Sequence, residues 1–443
     1  MGTAGKTSQC MGSATATHTF TCTPDSGGDA AWRYPDSRTR DCTRAGRGRS
    51  LRVRRSAPPA TIGVRSLYIN GVATQDVDVL VIGGGVIGCA VACELAESGM
   101  RVRLLDGRRP GAGASQASAG VLAPYVEGHD SRPLRELGRR SLDLYEAFVA
   151  RAVERSGLAV EFARCGTLEV AVTDADVARL QRARTMIAAE QVAGQWLEDQ
   201  ALRAAEPSLH AGALGALRIP SHAAVNVPAM TAALAAAAVA RGAEVATGVA
   251  ATSVARGADG LVVQTSGGPV HAAQVVLAAG AWAAALAPAG ADPMPVWPVR
   301  GQLLCLATPP GTLRHIVWAS DVYLVPWSDG TVLVGATSEH VGFDERATAR
   351  GVAQLLNAAT ALVPALADAT FVEARRGLRP GSPDDLPYIG RSEVLPGLIY
   401  ACGHYRNGAL LAPLTAALVR QLAQGDETDP ALAVLAPSRA GRL

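Results

Sequence analysis

A glycine-rich segment near residue 80 has the spacing G-x-G-x-x-G between an apolar run and a segment of helical periodicity. The apolar run Val79–Ile82 predicts a parallel strand that is buried on both faces. Gly83 would allow a tight turn, Gly85 would let a pyrophosphate approach the backbone, and Gly88 would let the helix pack closely. The N–H groups and dipole at the start of that helix favour phosphate. The pattern predicts a dinucleotide site, with a glycine-rich turn of another α/β domain as the alternative.

Two further segments can contribute to the same site. Arg101–Leu105 indicates a second strand, and Asp106 at its end can accept hydrogen bonds from ribose hydroxyl groups. Small residues dominate from Gly111 to Gly120, which is typical of a flexible loop or of a segment that approaches a cofactor closely. Its position after the first βαβ unit favours the close approach.

The composition limits the functions that this 443-residue chain can have. No apolar run reaches membrane-spanning length. Residues 1–75 carry 11 basic and 4 acidic residues, and residues 76–443 carry 30 basic and 35 acidic residues. The main body of the chain, residues 76–443, is thus mildly acidic and gives no reason to expect binding of nucleic acid. Lys6 is the only lysine, which excludes Schiff-base and P-loop lysines from the body. The eight cysteines form no C-x-x-C pair, so we expect no metal site, and a reducing cytoplasm is the default.

The first 75 residues do not have the composition of a folded domain. They are rich in Gly, Ser, Thr and Arg, with few aliphatic residues before Leu51. The segment is interpreted as a disordered extension or a non-native upstream start. A transit peptide and a basic arm that binds a polyanion are less favoured alternatives.

Later segments predict a second, antiparallel sheet and then a return to the first unit. Pro298–Leu306, Val322–Pro326 and Thr331–Gly335 indicate strands of that sheet. The order strand, glycine-rich turn and helix is repeated from Leu398 to Leu422.

The spacing of apolar residues predicts two helices between the small-residue segment that ends at Gly120 and the strands of the second sheet. One amphipathic helix is expected over Leu134–Arg155. A second is expected over Asp174–Glu190, with Asp174 or Asp176 as the N-cap.

Eight segments in order resemble the FAD-dependent D-amino acid oxidase superfamily, and most closely its glycine oxidases of thiamine biosynthesis. They are GGGVIG, ASQASAGVL, VVLAAGAW, PVRGQ, VYLVP, VGAT, GLRPGSPDDLPYIG and GHYRNGALLAP, within roughly residues 77–430. The resemblance implies an α/β fold with a Rossmann-like FAD-binding domain of the glutathione-reductase type and an interleaved antiparallel-sheet substrate domain. It assigns residues 76–135, 221–297 and 371–430 to the FAD-binding domain. It assigns residues 136–220 and 298–370 to the substrate domain, and residues 431–443 to a C-terminal tail.

The resemblance also implies which residues hold a non-covalent FAD. Cys402 would permit a covalent thioether, but the match is to the non-covalent subfamily. Val249 would offer its backbone to the adenine, and the turn from His404 would cover the flavin ring. The implied contacts are Gly83, Gly85, Val86, Ile87, Gly88, Asp106, Gly107, Ser115, Ala119, Gly120, Val121, Val249, His404, Tyr405, Arg406, Asn407, Gly408, Ala409 and Leu410.

By the same resemblance, Arg379 anchors the substrate carboxylate, assisted by Arg406 and Tyr323. A planar guanidinium suits this task because it binds a carboxylate at two points. The alternatives are a structural salt bridge for Arg379 and a core position for Tyr323. His404 is interpreted as a backbone-positioning residue rather than a catalytic base. Arg376 departs from the family, which usually has a small residue there, so substrate range is open.

The implied reaction is oxidative deamination of glycine, and of sarcosine or small D-amino acids. A hydride passes from the substrate Cα to the flavin, and O2 is then reduced to H2O2. The imine product would supply thiazole synthase or hydrolyse to glyoxylate and ammonia. Alternatives are a dehydrogenase that uses a quinone or carrier, and a flavin-binding subunit that is inactive alone; an NAD-dependent enzyme is disfavoured. The resemblance further implies a homotetramer.

Overall fold

A computed structural model describes residues 77–127 and 131–443 of the chain. The extension predicted over residues 1–75 lies outside the described residues. In the described part, the strands and helices have the following bounds. The strands are β1 (Val77–Ile82), β2 (Val102–Asp106), β3 (Val121–Leu122), β4 (Phe162–Ala163), β5 (Thr167–Ala171), β6 (Gln195–Leu197), β7 (Gly215–Ile219), β8 (Ala223–Val225), β9 (Glu244–Thr247), β10 (Ala251–Arg256), β11 (Leu261–Thr265), β12 (Val270–Leu277), β13 (Trp297–Ala307), β14 (Ile316–Trp318), β15 (Tyr323–Pro326), β16 (Thr331–Gly335), β17 (Thr370–Gly381), β18 (Tyr388–Arg391) and β19 (Leu398–Cys402). The helices are α1 (Val86–Glu97), α2 (Pro124–Glu127), α3 (Arg132–Asp143), α4 (Tyr145–Ser156), α5 (Asp174–Ala189), α6 (Asp199–Ala205), α7 (Val227–Ala240), α8 (Ala349–Leu362), α9 (Gly408–Gln424) and α10 (Ala431–Leu435).

The first sheet is centred on β1, which lies between two parallel neighbours, β12 and β2. Its order is β10-β11-β12-β1-β2-β9, with β19 parallel to the end of β12 and β18 antiparallel to β19. Successive side chains of β1 point to opposite faces and both faces are buried. Val79 and Val81 lie in the core that includes α1, α7 and α9, whereas Leu80 and Ile82 lie in a second core. The buried parallel strand predicted from the apolar run is confirmed.

The second sheet has the order β17-β13-β16-β15-β14-β5-β7-β6. Its neighbouring strands are antiparallel except for β14 and β5, which pair in parallel and are joined by a long connection, as a parallel pair requires. One face packs against α8 through residues such as Leu304, Leu324 and Leu355. The other face carries Leu303 and Val325 and contacts Ala119 of the first unit. A third, small sheet has the order β3-β8-β4.

The sheets change two of the predicted segment boundaries. β17 pairs with β13 from Trp297–Gly381 to Ala307–Thr370, so a boundary at 371 would separate β17 from its own sheet. Residues 371–381 therefore belong to the second sheet. The predicted tail 431–443 contains α10, and the carbonyl of the buried Leu443 accepts a hydrogen bond from the Glu393 N–H at 2.6 Å. All the described residues lie within one compact unit of the chain, 61–443, and the other domain boundaries stay predictions.

The two helix predictions are correct in place but wrong in detail. The helix predicted over Leu134–Arg155 is two helices, α3 and α4, which meet at Leu144. The N-cap of α5 is Thr173, not Asp174 or Asp176. Thr173 and Asp176 form a capping box, in which each side chain accepts a hydrogen bond from the backbone N–H of the other.

None of the helices in the described residues is long and apolar enough to cross a membrane.

Candidate active site

A cavity of about 550 Å³ is lined by the carboxyl ends of strands in the first sheet and by one face of the second. Ile82, Asp106, Ala278 and Cys402 lie at or just beyond the ends of β1, β2, β12 and β19. Ligands of open α/β sheets bind at this edge of the strands. The second sheet contributes residues of β13, β14, β15 and β17 to the same cavity.

The glycine-rich turn brings the backbone of β1, α1 and β12 into close contact. Gly83 has a φ of +107°, and a Cβ there would lie 2.4 Å from the carbonyl oxygen of Ala278. A Cβ on Gly88 would lie 1.8 Å from the carbonyl oxygen of Gly83. Gly85, the N-cap of α1, lines the cavity and provides no side-chain cap of its own, and the hydroxyl of Ser115 accepts the N–H of Val86 at 2.9 Å. This arrangement fits a pyrophosphate.

Asp106 is held at the cavity wall by two backbone hydrogen bonds. Its carboxylate accepts the N–H of Gly84 at 2.7 Å and the N–H of Arg108 at 2.6 Å. Burial raises the pKa of Asp106, and these two hydrogen bonds act in the opposite direction. A carboxylate has about four acceptor sites, so two bound N–H groups leave capacity for ribose hydroxyls. Val249, beside it, donates its own N–H to the Asp106 carbonyl at 3.0 Å, which leaves the Val249 carbonyl as the group that could contact adenine.

The small residues after β2 pack between the two sheets. A Cβ on Gly377 of β17 would lie 2.9 Å from the Cα of Ala114 and 3.1 Å from the Cβ of Ala117. A Cβ on Gly120 would lie 1.8 Å from the carbonyl oxygen of Val225. Ser115 accepts the N–H of Val86 at the start of α1 at 2.9 Å. These contacts favour the close-approach interpretation of the segment over a flexible loop.

The turn before α9 is held by buried hydrogen bonds. His404 Nε2 lies 3.0 Å from the hydroxyl of Thr415, and burial lowers the pKa of His404 to about 3. The imidazole is therefore neutral at physiological pH, which fits a positioning role better than that of a base with a pKa near the working pH. Tyr405 has a φ of +46° and donates its N–H to the Pro380 carbonyl at 2.9 Å. The turn is thus joined to the strand that carries Arg379.

Cys402 lines the cavity but is poorly suited to a covalent bond with a flavin. Its thiol is buried and lies 3.5 Å from the sulfur of Met294. Burial raises the pKa of Cys402 to about 12. Because the thiolate is the nucleophile, this supports the non-covalent alternative.

Arg379 and Tyr323 extend over two glycines of the second sheet. A Cβ on Gly301 of β13 would lie 2.4 Å from the guanidinium of Arg379. A Cβ on Gly335 of β16 would lie 2.3 Å from the ring of Tyr323 and 2.5 Å from its hydroxyl oxygen. The glycines of PVRGQ and VGAT are therefore the positions that leave room for these two side chains.

The two glycines are diagonal neighbours on one face of the second sheet. Gly335 is directly opposite Leu303, and Gly301 lies two residues before Leu303 on β13, so the two glycines are roughly 7–8 Å apart. The Arg379 guanidinium and the Tyr323 ring therefore extend over the same face of the sheet. Arg379 donates from Nη1 to the Thr337 carbonyl at 2.9 Å and has no salt bridge within the described residues. The structural salt-bridge alternative is thereby disfavoured.

A buried polar network holds Thr337 in place. The hydroxyl of Thr337 donates to Glu339 at 2.7 Å and accepts the N–H of Gln302 at 2.9 Å. Glu339 also receives hydrogen bonds from Gln302 at 2.7 Å and from Arg300 at 2.6 Å. Burial alone would raise the pKa of Glu339, but the hydrogen bonds from Arg300, Gln302 and Thr337 lower it to about 2. Glu339 therefore stabilises, as a carboxylate, the loop that orients Arg379.

Most of the predicted contact residues lie at the cavity wall. Gly88, Asn407 and Leu410 lie behind it: Gly88 packs on Gly83, Asn407 caps α9, and Leu410 is buried near Gly138. Which wall residues contact FAD stays a prediction. The predicted residues that line the cavity are Gly83, Gly85, Val86, Ile87, Asp106, Gly107, Ser115, Ala119, Gly120, Val121, Val249, Tyr323, Arg379, His404, Tyr405, Arg406, Gly408 and Ala409.

Several cavity residues were missed by sequence reasoning. Trp318 lies beside Tyr323, and Gly301 lies beneath Arg379. At the solvent side, Arg108 stacks over Trp282 at 4.8 Å and pairs with Glu345 at 3.1 Å. Gly301 could have been found, because it lies inside the quoted segment PVRGQ. Trp282 ends the quoted segment VVLAAGAW, but its contact with Arg108 and the Arg108–Glu345 pair join segments distant in sequence. The contact of Trp318 with Tyr323 depends on the register of a hairpin.

A glycine-rich turn at the carboxyl edge of a parallel sheet, with an acidic residue at the end of the next strand, is typical of a dinucleotide-binding oxidoreductase. The chain belongs to the FAD-dependent oxidoreductase family, whose model matches residues 78–422. It is 38% identical to the glycine oxidase of Geobacillus kaustophilus, over 80% of this chain and 95% of that protein. The crystal structure of a glycine oxidase from the same species superposes with a TM-score of 0.80, covering 83% of this chain and 99% of that one.

A longer relative is the bifunctional protein ThiO/ThiG of Nostoc sp. The identity is 36%, over 80% of this chain and 54% of that protein. The chain thus spans about half the length of this relative. The predicted family, fold class and FAD dependence are confirmed by these comparisons.

We expect Gly301→Ala to displace Arg379, because the added methyl would overlap the guanidinium. The loss of a hydrogen bond to a charged group should raise the KM for an amino acid substrate at least about 10-fold. Gly212→Ala is the matched control, since the atom nearest its new Cβ is in the exposed ring of His210. An unchanged KM in Gly301→Ala would contradict the placement of Arg379.

We expect Glu339→Gln to lower the free energy of unfolding at pH 7 by about 2 kcal/mol, as for hydrogen bonds to charged groups. Because the folded-state pKa of Glu339 is depressed, its contribution is present above the unfolded pKa of about 4.3 and is lost as the pH falls towards 2. Urea unfolding should therefore show a smaller loss of stability below pH 5 in Glu339→Gln than in the parent. Glu373→Gln removes a more exposed ion pair with Arg375 and should change little. Parallel pH curves for Glu339→Gln and the parent would contradict this role.

Proposed function

We propose that this protein is an FAD-dependent oxidase of glycine, which also accepts sarcosine or small D-amino acids. The observation that carries the proposal is the pair Arg379 and Tyr323, which extend over Gly301 and Gly335 on one face of the second sheet and would together bind one carboxylate. This pair lies in the same cavity as the glycine-rich turn and Asp106. The similarity to glycine oxidases supports the same substrate class.

The cavity has the features that FAD requires. Gly83, Gly85 and the N-terminus of α1 would hold the pyrophosphate, and Asp106 would hold the ribose. Bound FAD would supply the acceptor for a hydride from the substrate Cα, and O2 would then take the electrons as H2O2. The imine product would either pass to thiazole synthase or be hydrolysed to glyoxylate and ammonia.

The roles of the chain's own residues follow from their charge and burial. The Arg379 guanidinium and the Tyr323 hydroxyl would bind the two oxygens of the substrate carboxylate and so orient the Cα. Arg406, at the exposed side of the cavity, would add positive charge at its entrance. His404 is neutral and would position the turn rather than remove a proton. The substrate amine would therefore have to lose its proton to solvent before hydride transfer.

We also infer a role in thiamine biosynthesis and an assembly larger than a monomer. The first is supported by the relative named ThiO/ThiG, in which a protein similar to this chain is joined to a second part. A homotetramer is proposed from the family resemblance, and a cytoplasmic location from the scattered cysteines without a C-x-x-C pair. Phe371 and Val372, exposed near the start of the edge strand β17, provide apolar surface for such contacts.

The proposal is tested with a peroxide assay on the purified FAD-loaded protein. We expect H2O2 with glycine, and with sarcosine, D-alanine or D-proline at a comparable or lower rate. Arg379→Ala should raise the KM for glycine at least about 10-fold, because a charged hydrogen bond is lost. Arg375→Ala removes the same charge from the same strand, outside the cavity, and is the control.

Two outcomes would contradict the oxidase proposal, and a third would contradict the role of Arg379. Flavin reduction without peroxide would indicate a dehydrogenase that uses another acceptor. No reduction by any of the amino acids would favour a subunit that is inactive alone. Turnover with an unchanged KM in Arg379→Ala would exclude Arg379 as the carboxylate anchor.

A further inference from the structure

Trp318 stacks on Tyr323 inside the cavity. The two residues are directly opposite each other in the β14–β15 pair, so their side chains lie on the same face of the second sheet. Their ring centroids are 4.7 Å apart and the ring planes differ by 27°. Both residues line the cavity and both are partly buried.

The hairpin that carries both rings is fixed at its tip. The Ala319 N–H donates to the Val322 carbonyl at 2.8 Å, which closes the turn between the strands. The Ser320 hydroxyl donates to the carboxylate of Asp176 at 3.0 Å. Asp176 belongs to the capping box of α5, so the tip of the hairpin is joined to a helix. The backbone under Trp318 and Tyr323 is therefore well restrained.

Tyr323 is confined on two sides. On one side its ring and hydroxyl lie over Gly335, where a Cβ would be only 2.3 Å from the ring. On the other side stands the ring of Trp318. A tyrosine on a strand can ordinarily choose between two χ1 rotamers. Without Trp318, the ring of Tyr323 could move away from Gly335 and its hydroxyl would leave the neighbourhood of Arg379.

We propose that Trp318 is a positioning residue that holds the Tyr323 hydroxyl over Gly335, on the face of the second sheet where Arg379 extends over Gly301. The inference rests on the proposed function, because it assigns Trp318 to the carboxylate subsite of that reaction. Trp318 acts through Tyr323 and does not itself need to touch the substrate carboxylate. In this subsite the Thr337 carbonyl holds the Arg379 guanidinium, and the stack with Trp318 holds the Tyr323 hydroxyl.

The first test measures acetate binding to the FAD-loaded protein, from the change in the flavin absorbance spectrum. Acetate carries the carboxylate but is not oxidised, so the titration reports on the subsite without turnover. We expect Trp318→Ala to weaken acetate binding about 5-fold, as for the loss of one aromatic pair. Trp318→Phe keeps a ring behind Tyr323 and should restore most of the affinity. In glycine turnover, the same change should appear in KM while kcat stays nearly constant.

A double-mutant cycle separates positioning from a general loss of structure. Once Tyr323→Phe has removed the hydroxyl, Trp318→Ala should cause little further loss of acetate affinity. Trp196→Ala is the matched control, because Trp196 lies on β6 of the same sheet and does not line the cavity. It should leave acetate affinity unchanged.

Two results would overturn the role of Trp318. One is unchanged acetate affinity in Trp318→Ala that still binds FAD. The other is an additive loss in the double variant, which would mean that Trp318 acts independently of Tyr323. If Trp318→Ala does not retain FAD, Trp318→Leu removes the aromatic stack but keeps a large apolar side chain, and it is judged by the same criteria, alone and in the Tyr323→Phe background. Failure of the proposed function is a different result, namely no turnover of glycine by the parent protein.

Discussion

The site depends on the absence of side chains at a few backbone positions. Gly83 and Gly88 let α1 approach β1 and β12, and Gly301 and Gly335 let Arg379 and Tyr323 lie flat across the second sheet. At each position a single methyl group would come within 2.4 Å of a neighbouring atom. At Gly83 and Gly88 the nearest neighbours are backbone atoms, so the backbone would have to shift, whereas at Gly301 and Gly335 the added methyl would displace Arg379 or Tyr323. The cofactor half and the substrate half of the cavity are thus built by the same means.

The charges of the side chains at the substrate end of the cavity also favour a particular kind of ligand. The guanidinium of Arg379 is held by the carbonyl of Thr337 rather than by a carboxylate, so its charge is not neutralised within the described residues. The acidic partner in this region, Glu339, is instead paired with the buried Arg300. The buried groups nearest the C-terminal turn, His404 and Cys402, are both uncharged at physiological pH. The substrate end of the cavity therefore favours an anion over a cation.

Those parts of the structure that follow from local sequence could be predicted. The apolar run, the glycine turn and Asp106 form one continuous βαβ unit, so spacing alone located them. β17 could not be assigned in this way, because its sheet is decided by pairing with β13, some 70 residues earlier. Trp318 was missed for a related reason: its importance comes from the register of a hairpin that places it opposite Tyr323. The N-cap of α5 is Thr173 and not Asp174 or Asp176, because the side chains of Thr173 and Asp176 each accept the backbone N–H of the other. The prediction considered the residues singly and not as a pair.

The central claim is that one carboxylate is bound between Arg379 and Tyr323, over two glycines. A crystal structure of the FAD-loaded protein with bound acetate tests it most directly. We expect one acetate oxygen to accept hydrogen bonds from the Arg379 guanidinium and the other to accept a hydrogen bond from the Tyr323 hydroxyl. Acetate bound elsewhere in the cavity, with either side chain turned away from its glycine, would contradict the claim.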